Sequence, residues 1–366
     1  MKKICVQSES GKKYDILIDH NILNQIGLHI KKLNIGNSAF IITSPKIGKL
    51  YLTPIVNSLK KSGIKDISIN LVPDGERYKN EKSWIRLTGK IVQFNKTDDK
   101  KVFILNLGGG VIGDLGGFVA STYNRGSGYI QVPTTLLAFV DCGIGGKVGV
   151  NFASVKNVIG SFYQPQLVYA DLDLLKTLNK RELKSGLAEV VKYGVISSPE
   201  LFKFLEDHLN QIFSLDTKAI QKIVIDGYSI KADLVKRDEF DKKNIRIVLN
   251  YGHTIGHAVE SASQYAYRHG EAISIGMVCA NDIAVKLGFL DKSVADRVEN
   301  LLLKIGLPVK IKNHNINTIM HFFWKDKKFV NGKNKFVLLK KLGTPKIVQG
   351  IPIDVITDII KNRFTK

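Results

Sequence analysis

Cysteine, arginine and long apolar runs are scarce in this sequence, and each scarcity removes a class of protein. The three cysteines, Cys5, Cys142 and Cys279, are odd in number, far apart and without a C-x-x-C pair. That argues against a disulfide framework and against a thiolate zinc site. Any metal must therefore be held by nitrogen and oxygen. No apolar stretch approaches the roughly 20 residues that a membrane span requires, and no N-terminal run joins a basic start to an apolar segment. The expectation is a soluble, cytoplasmic protein with no membrane partner. The formal charge of +21 comes mostly from lysines scattered in ones and twos, and no basic run carries interleaved aromatics that could stack on bases. It reads as a solvated lysine-rich surface that draws small anionic substrates inward, not as a nucleic-acid interface.

What is present is organised in two halves. The length of 366 residues allows two domains of ordinary size. In the first half, short β-branched apolar runs at residues 38–43, 67–72, 102–107, 129–132 and 167–170 read as buried strands. They alternate with helical candidates such as 53–62 and 80–94. This is the signature of an α/β N-terminal nucleotide-binding domain with a mostly parallel sheet, whose ligands bind at the carboxyl ends of the strands. From about Lys180 the period becomes 3.6 residues, with helices expected over 181–196, 201–213, 217–236, 245–262, 271–287 and 293–305, and one late strand over 335–342. The second half is thus expected to be a mainly α-helical, metal-binding domain. The expected division is 1–175 for the nucleotide domain and 176–366 for the helical, metal- and substrate-binding one.

The segment Asn250 to Glu271, NYGHTIGHAVESASQYAYRHGE, holds three of the eight histidines. On a helix His253, His257 and Glu260 would share one face. Histidines four apart can converge on a divalent cation, but Thr254 stands where the metalloprotease helix needs its glutamate base, so a zinc peptidase is not the natural reading. The bland alternative is two satisfied histidines on a packing face. Further back, Gly186-Leu187-Ala188-Glu189-Val190-Val191-Lys192 places Glu189 and Lys192 three apart on an apolar helix. They could form only an intrahelical ion pair. With two histidines, however, Glu189 completes a nitrogen and oxygen site with room for a substrate, the pattern of a catalytic zinc.

Other motifs point to anions. Gly108-Gly109-Gly110 and Gly113-Asp114 follow the strand at 102–107, where glycines let a backbone approach a diphosphate and a helix N-terminus meets its charge. The spacing is not the standard G-x-G-x-x-G, and such glycines can also serve a turn alone. Thr134 and Thr135 stand at the end of the next strand, as caps or as nucleotide contacts. Pro73-Asp74-Gly75-Glu76-Arg77-Tyr78-Lys79 is a turn, either a solvated loop or a ligand-facing one. Asp141 to Lys147 and Lys156-Asn157 set two lysines in a glycine-rich apolar region, where a buried ammonium needs an anion. A dinucleotide cradle, a catalytic metal and several lysines describe hydride chemistry on a small anionic polyol.

These blocks, PDGERYK, LGGGVIGDLGGF, QVPTTLLAFVD, GGK, KNVIGSFYQP, RELKSGLAEVVKYG, LNYGHTIGHAVE, HGEAISIGM and DKK, resemble those of the 3-dehydroquinate synthase family of sugar-phosphate cyclases, in family order, from about residue 70 to 340. The resemblance implies a shikimate-pathway lyase that converts 3-deoxy-D-arabino-heptulosonate 7-phosphate to 3-dehydroquinate and phosphate. The steps are transient oxidation by NAD, phosphate elimination, re-reduction and aldol cyclisation. It also implies a homodimer. By the same resemblance, the metal, zinc or in its place cobalt, is held by Glu189, His253 and His269, and His257 transfers protons. The resemblance further implies that the sugar phosphate meets Lys147, Asn157, Lys192, Lys231, Arg246, Asn250 and Lys328, with Arg125 supplied by the other subunit. It implies that NAD lies on Glu76, Lys79, Gly109, Gly110, Asp114, Thr134, Thr135, Asp141, Lys156 and Thr177. Departures from the family pattern fall at Ser44, Cys142, Gly143, Val148 and Phe152, some of which resemble valiolone-type cyclases, while Asn250 and His257 follow the dehydroquinate pattern. A valiolone-type cyclase or a metal-dependent polyol dehydrogenase is the alternative.

Overall fold

The computed structural model describes residues 1–96, 99–153, 155–264, 266–325 and 333–365. Two compact units emerge, one of Met1–Leu178 with Ile220–Phe240 and one of Asn179–Ala219 with Asp241–Lys366.

In the first unit a seven-stranded sheet has the order β1-β2-β9-β6-β5-β3-β4. Its strands are β1 (Lys2–Gln7), β2 (Lys13–Asp19), β3 (Ser38–Thr43), β4 (Asp66–Leu71), β5 (Val102–Gly108), β6 (Tyr129–Pro133) and β9 (Leu167–Asp171). All pairings are parallel except β1 on β2. β3 and β5 are buried along their whole length, as expected of strands covered on both faces. The period of two then sends Ile41, Phe103 and Leu105 into one core with α1 (Ile26–Leu33) and α2 (Pro45–Lys61). Phe40, Ile42 and Ile104 enter the other with α3 (Glu81–Phe94) and α4 (Gly110–Thr122). Thr43 is level with Leu107, and Gly108 with Pro133, so the glycine turn and Thr134 lie at one carboxyl edge.

Two hairpins were not visible in the pattern. β1 and β2 form one. The other, β7 (Lys147–Phe152) with β8 (Val155–Phe162), takes up the glycine-rich apolar region, for which no strand was expected. Gly149 pairs with Gly160, and a Cβ on either would lie 2.6 or 2.4 Å from the opposite backbone carbonyl. The glycines are there for strand approach, which weakens the strand signal in the sequence. α2 also begins earlier than the expected 53, at Pro45, with Ser44 accepting from the Ile47 amide as its N-cap.

The second unit is mainly helical: α5 (Lys180–Ser197), α6 (Pro199–Phe213), α8 (His253–Ala262), α9 (His269–Lys286), α10 (Lys292–Ile305), α11 (Ile316–Trp324) and α12 (Ile353–Asn362), with the hairpin β10 (Lys335–Lys341) and β11 (Thr344–Gln349). α7 (Thr217–Arg237) starts here, and most of it groups with the first unit. The helix expected over 245–262 is broken. A 3-10 turn covers Arg246–Asn250, and Gly252 at φ +77° starts α8 anew. Only glycine takes that φ without strain.

Helices α5, α8 and α9 meet at backbone distance. A Cβ on Gly270 would fall 1.9 Å from the Ser185 carbonyl oxygen, and one on Gly276 would fall 1.9 Å from that of Gly252. Gly276→Ala is therefore expected to destabilise the protein by at least about 1–3 kcal/mol. Gly89→Ala, in α3 with nothing within 4 Å of the added carbon, should stabilise by about 0.5–1 kcal/mol. Urea unfolding of the two variants checks both signs.

Candidate metal centre and phosphate cradle

The close helix contacts of the second unit bring Glu189 of α5 against the first residues of α8 and α9. Glu189 has no solvent exposure. Its Oε1 lies 3.7 Å from His253 Nε2 and 3.6 Å from His269 Nε2. Its Oε2 forms an ion pair with Lys192, itself buried one helical turn on. The donor atoms of Glu189, His253 and His269 all lie within 4.8 Å of one another, and so do those of His257, Glu260 and His269. His257 packs beside both other imidazoles, with ring centroids 5.0 Å from His253 and 5.9 Å from His269. Burial pushes the His269 pKa down, but the carboxylates of Glu189 and Glu260 on either side of the ring outweigh it and carry it up to about 9. Two imidazoles and a carboxylate around one point suit a borderline cation such as zinc or cobalt. Arg246 is buried in the 3-10 turn before α8, and Asn250 is half-buried at its end.

Glu189 and Lys192 are a strongly asymmetric pair. Glu189→Ala leaves a buried ammonium without its carboxylate and should cost the metal-free protein about 3–5 kcal/mol. Glu189→Leu combined with Lys192→Met should recover most of that loss, because no buried charge is then stranded. Thermal and urea unfolding in the presence of a chelator measure the difference.

The first unit carries the glycine turn. A Cβ on Gly109 would meet Thr135 Cγ2 at 3.1 Å, and one on Gly110 would meet Cys142 Sγ at 3.0 Å. Thr134 Oγ1 is buried with no hydrogen-bond partner among the described residues. Backbone at the N-terminus of α4, an unused hydroxyl and no side chain in the way suit a diphosphate. Beside it, Lys79 lies buried with Nζ 3.0 Å from Asp114 Oδ2 and 3.3 Å from Glu76 Oε1. Burial works against the ammonium, but the two carboxylates hold its pKa above the ordinary value. Asn151 donates to Glu76 Oε1 at 2.9 Å, a contact the sequence reading missed because β7 itself was missed. Lys231 of α7 donates to both Oδ1 and the backbone oxygen of Asp141 at 2.5 Å. Thr177 Oγ1 lies 2.5 Å from the Tyr51 hydroxyl.

Some candidates sit otherwise than expected. Lys147 is exposed on β7 and Lys156 half-buried on β8, so neither is the buried ammonium that the apolar context implied. Asn157 is exposed at φ +50°. Arg125 is exposed, and with Asn124 it forms a left-handed turn at φ +48° for Asn124 and +59° for Arg125, a conformation that asparagine tolerates and that costs roughly 1–2 kcal/mol at Arg125. Lys328 lies outside the described residues.

With a parallel-sheet unit followed by a mainly helical one, the chain has the fold of the sugar-phosphate cyclases. The structure of 2-deoxy-scyllo-inosose synthase complexed with carbaglucose-6-phosphate, NAD+ and Co2+ matches at a TM-score of 0.89 and 25% identity, over 99% of this chain and 100% of that one. The fold is also that of 2-epi-5-epi-valiolone synthase from Streptomyces hygroscopicus subsp. jinggangensis, at a TM-score of 0.85, 24% identity, 95% of this chain and 96% of that one. A glycerol dehydrogenase from Sinorhizobium meliloti, described as probable, shares the fold at 0.67 and 13%, over 95% of each chain.

Within that class the chain belongs to the 3-dehydroquinate synthase family, whose N-terminal model matches residues 69–185 and whose C-terminal model matches residues 186–329. It is 44% identical to the 3-dehydroquinate synthase of Thermodesulfovibrio yellowstonii over 95% of this chain and 96% of that one. It is 42% identical to that of Crocosphaera subtropica over 95% of each.

Proposed function

We propose that this protein is an NAD- and metal-dependent lyase that converts 3-deoxy-D-arabino-heptulosonate 7-phosphate to 3-dehydroquinate and inorganic phosphate. The observation that carries this reading is the Glu189, His253 and His269 donor set, closed by Lys192 and His257, in a chain 44% identical to a 3-dehydroquinate synthase over nearly its whole length. The valiolone-type alternative is not favoured, since that likeness stands at 24%.

Bound NAD would supply hydride acceptor and donor chemistry, and a bound dication would supply Lewis acidity. The chain's own residues supply the rest. The amides at Gly109 and Gly110 meet the diphosphate, with Thr134 and Thr135 at the neighbouring strand end. Glu76, Lys79, Asp114, Asp141, Lys156 and Thr177 hold the remainder of the nucleotide. Glu189, His253 and His269 hold the cation. Lys192, paired with Glu189, is assigned to the substrate's anionic groups. Lys147, Asn157, Lys231, Arg246 and Asn250 are assigned to those groups as well, with Lys328. His257, beside the donor set, accepts and returns the substrate's proton at a ring nitrogen. Holding one substrate through successive steps lets groups placed for the first serve the later ones. Arg125, fixed in its left-handed turn, serves the site of a second copy in a cytoplasmic homodimer.

Purified protein given the seven-carbon 2-keto acid phosphate and catalytic NAD is expected to release one phosphate per substrate with no net NADH. Stoichiometric NADH would instead mark a polyol dehydrogenase, and turnover of sedoheptulose 7-phosphate a valiolone-type cyclase. His269→Ala should lose both metal and activity, whereas His257→Ala should keep its metal and turn over slowly. Full metal occupancy in His269→Ala would mean that the ligand set is wrong.

A further inference from the structure

We infer that Glu260 is the positioning residue for His269, accepting the proton on Nδ1 so that Nε2 is the nitrogen turned to Glu189. The inference rests on the reading of Glu189, His253 and His269 as the metal set, and it concerns what aims one of those ligands.

The two imidazoles are held in parallel ways. His253 Nδ1 lies 3.0 Å from the Tyr251 carbonyl oxygen. A carbonyl only accepts, so Nδ1 carries the hydrogen and Nε2 keeps its lone pair for the space beside Glu189. Tyr251 is itself pinned, its hydroxyl donating to Asn281 Oδ1 at 2.6 Å. At His269 the acceptor opposite Nδ1 is the Glu260 carboxylate, with Oε2 at 3.4 Å, and Nε2 again faces Glu189, 3.6 Å from Oε1. Glu260 therefore does for His269 what a backbone carbonyl does for His253.

The position of Glu260 supports this role. It is buried, 6% exposed, on α8 one turn after His257, where a carboxylate is costly unless it is engaged. His269 also belongs to two overlapping donor groups, one with Glu189 and His253 and one with His257 and Glu260. A neutral imidazole has one lone pair to give, so it can serve one group only. By taking the Nδ1 hydrogen, Glu260 commits His269 to Glu189 and removes itself and His269 from the competing group. A carboxylate behind a ligating imidazole also raises its basicity, and losing such a partner typically weakens metal binding by about 10–100-fold.

The test uses the full-length protein, stripped of metal by a chelator, as wild type, Glu260→Ala and Glu260→Gln. Zinc affinity is read by competition with a chromogenic chelator, the His269 tautomer by imidazole nitrogen NMR above the ring's titration, and integrity by the melting temperature without metal. In Glu260→Ala, zinc affinity should fall by about 10–100-fold and His269 should populate both tautomers. Glu260→Gln, whose amide oxygen can accept the same hydrogen, should stay nearer wild type in both readouts, which a merely structural role would not produce. Wild-type affinity in Glu260→Ala would overturn the inference, as would equal losses in both variants with the tautomer unchanged. If wild type itself binds no zinc, the metal reading fails, and the tautomer of the metal-free protein still decides what Glu260 does.

Discussion

The second unit depends on keeping one carboxylate, Glu189, entirely out of water. Removing a carboxylate from solvent costs several kcal/mol unless positive charge or hydrogen-bond donors replace the water. Lys192 and the two histidines are that replacement. They can reach Glu189 only because α5, α8 and α9 approach to backbone contact, which is why Gly252, Gly270 and Gly276 stand at the crossings, and Ser185 opposite one of them. The apolar, small-residue character of the sequence around Glu189 is thus a condition for the ion cluster and not separate from it. The same packing that removes water also concentrates the field of whatever cation the cluster holds.

The parts of this molecule that were legible in the sequence are those where a single physical requirement leaves a single pattern. β3 and β5, buried on both faces, read as unbroken apolar runs. The long helices α5, α6 and α10 read by their period. Elements that satisfy two requirements at once were not legible. β7 and β8 carry facing glycines for close approach, and their exposed positions mix apolar residues such as Phe152, Val158 and Phe162 with polar ones, so neither alternation nor burial marks the strands. The break at Gly252 was hidden for the opposite reason: the residues on both sides keep a helical period across it, while the chain passes through a 3-10 turn, Tyr251 at ψ +127° and Gly252 at φ +77°. The same break supplies the Tyr251 carbonyl that fixes His253. Periodicity placed His253, His257 and Glu260 on one face, but it could not say which of them faced a residue some sixty positions earlier.

The lysines show why composition is a poor guide to the site while burial is a good one. A charge of +21 spread over the surface carries little information about chemistry. Among the described residues the buried lysines are Lys79, Lys192 and Lys231. Each rests on a carboxylate: Asp114 and Glu76, Glu189, and Asp141. Those carboxylates are the very groups assigned to nucleotide and metal, which are themselves charged. In the ligand-free chain the lysines keep the carboxylates from being stranded, so the unliganded fold does not have to bear the full desolvation cost of its own binding site. The cost falls on selectivity instead: a ligand must offer each carboxylate more than the ammonium already does, and only a dication or a well-matched set of hydroxyls placed at that point can do so. Surface lysines set no such threshold, which is why the three buried ones, few against the total charge, mark where charge has been taken out of water.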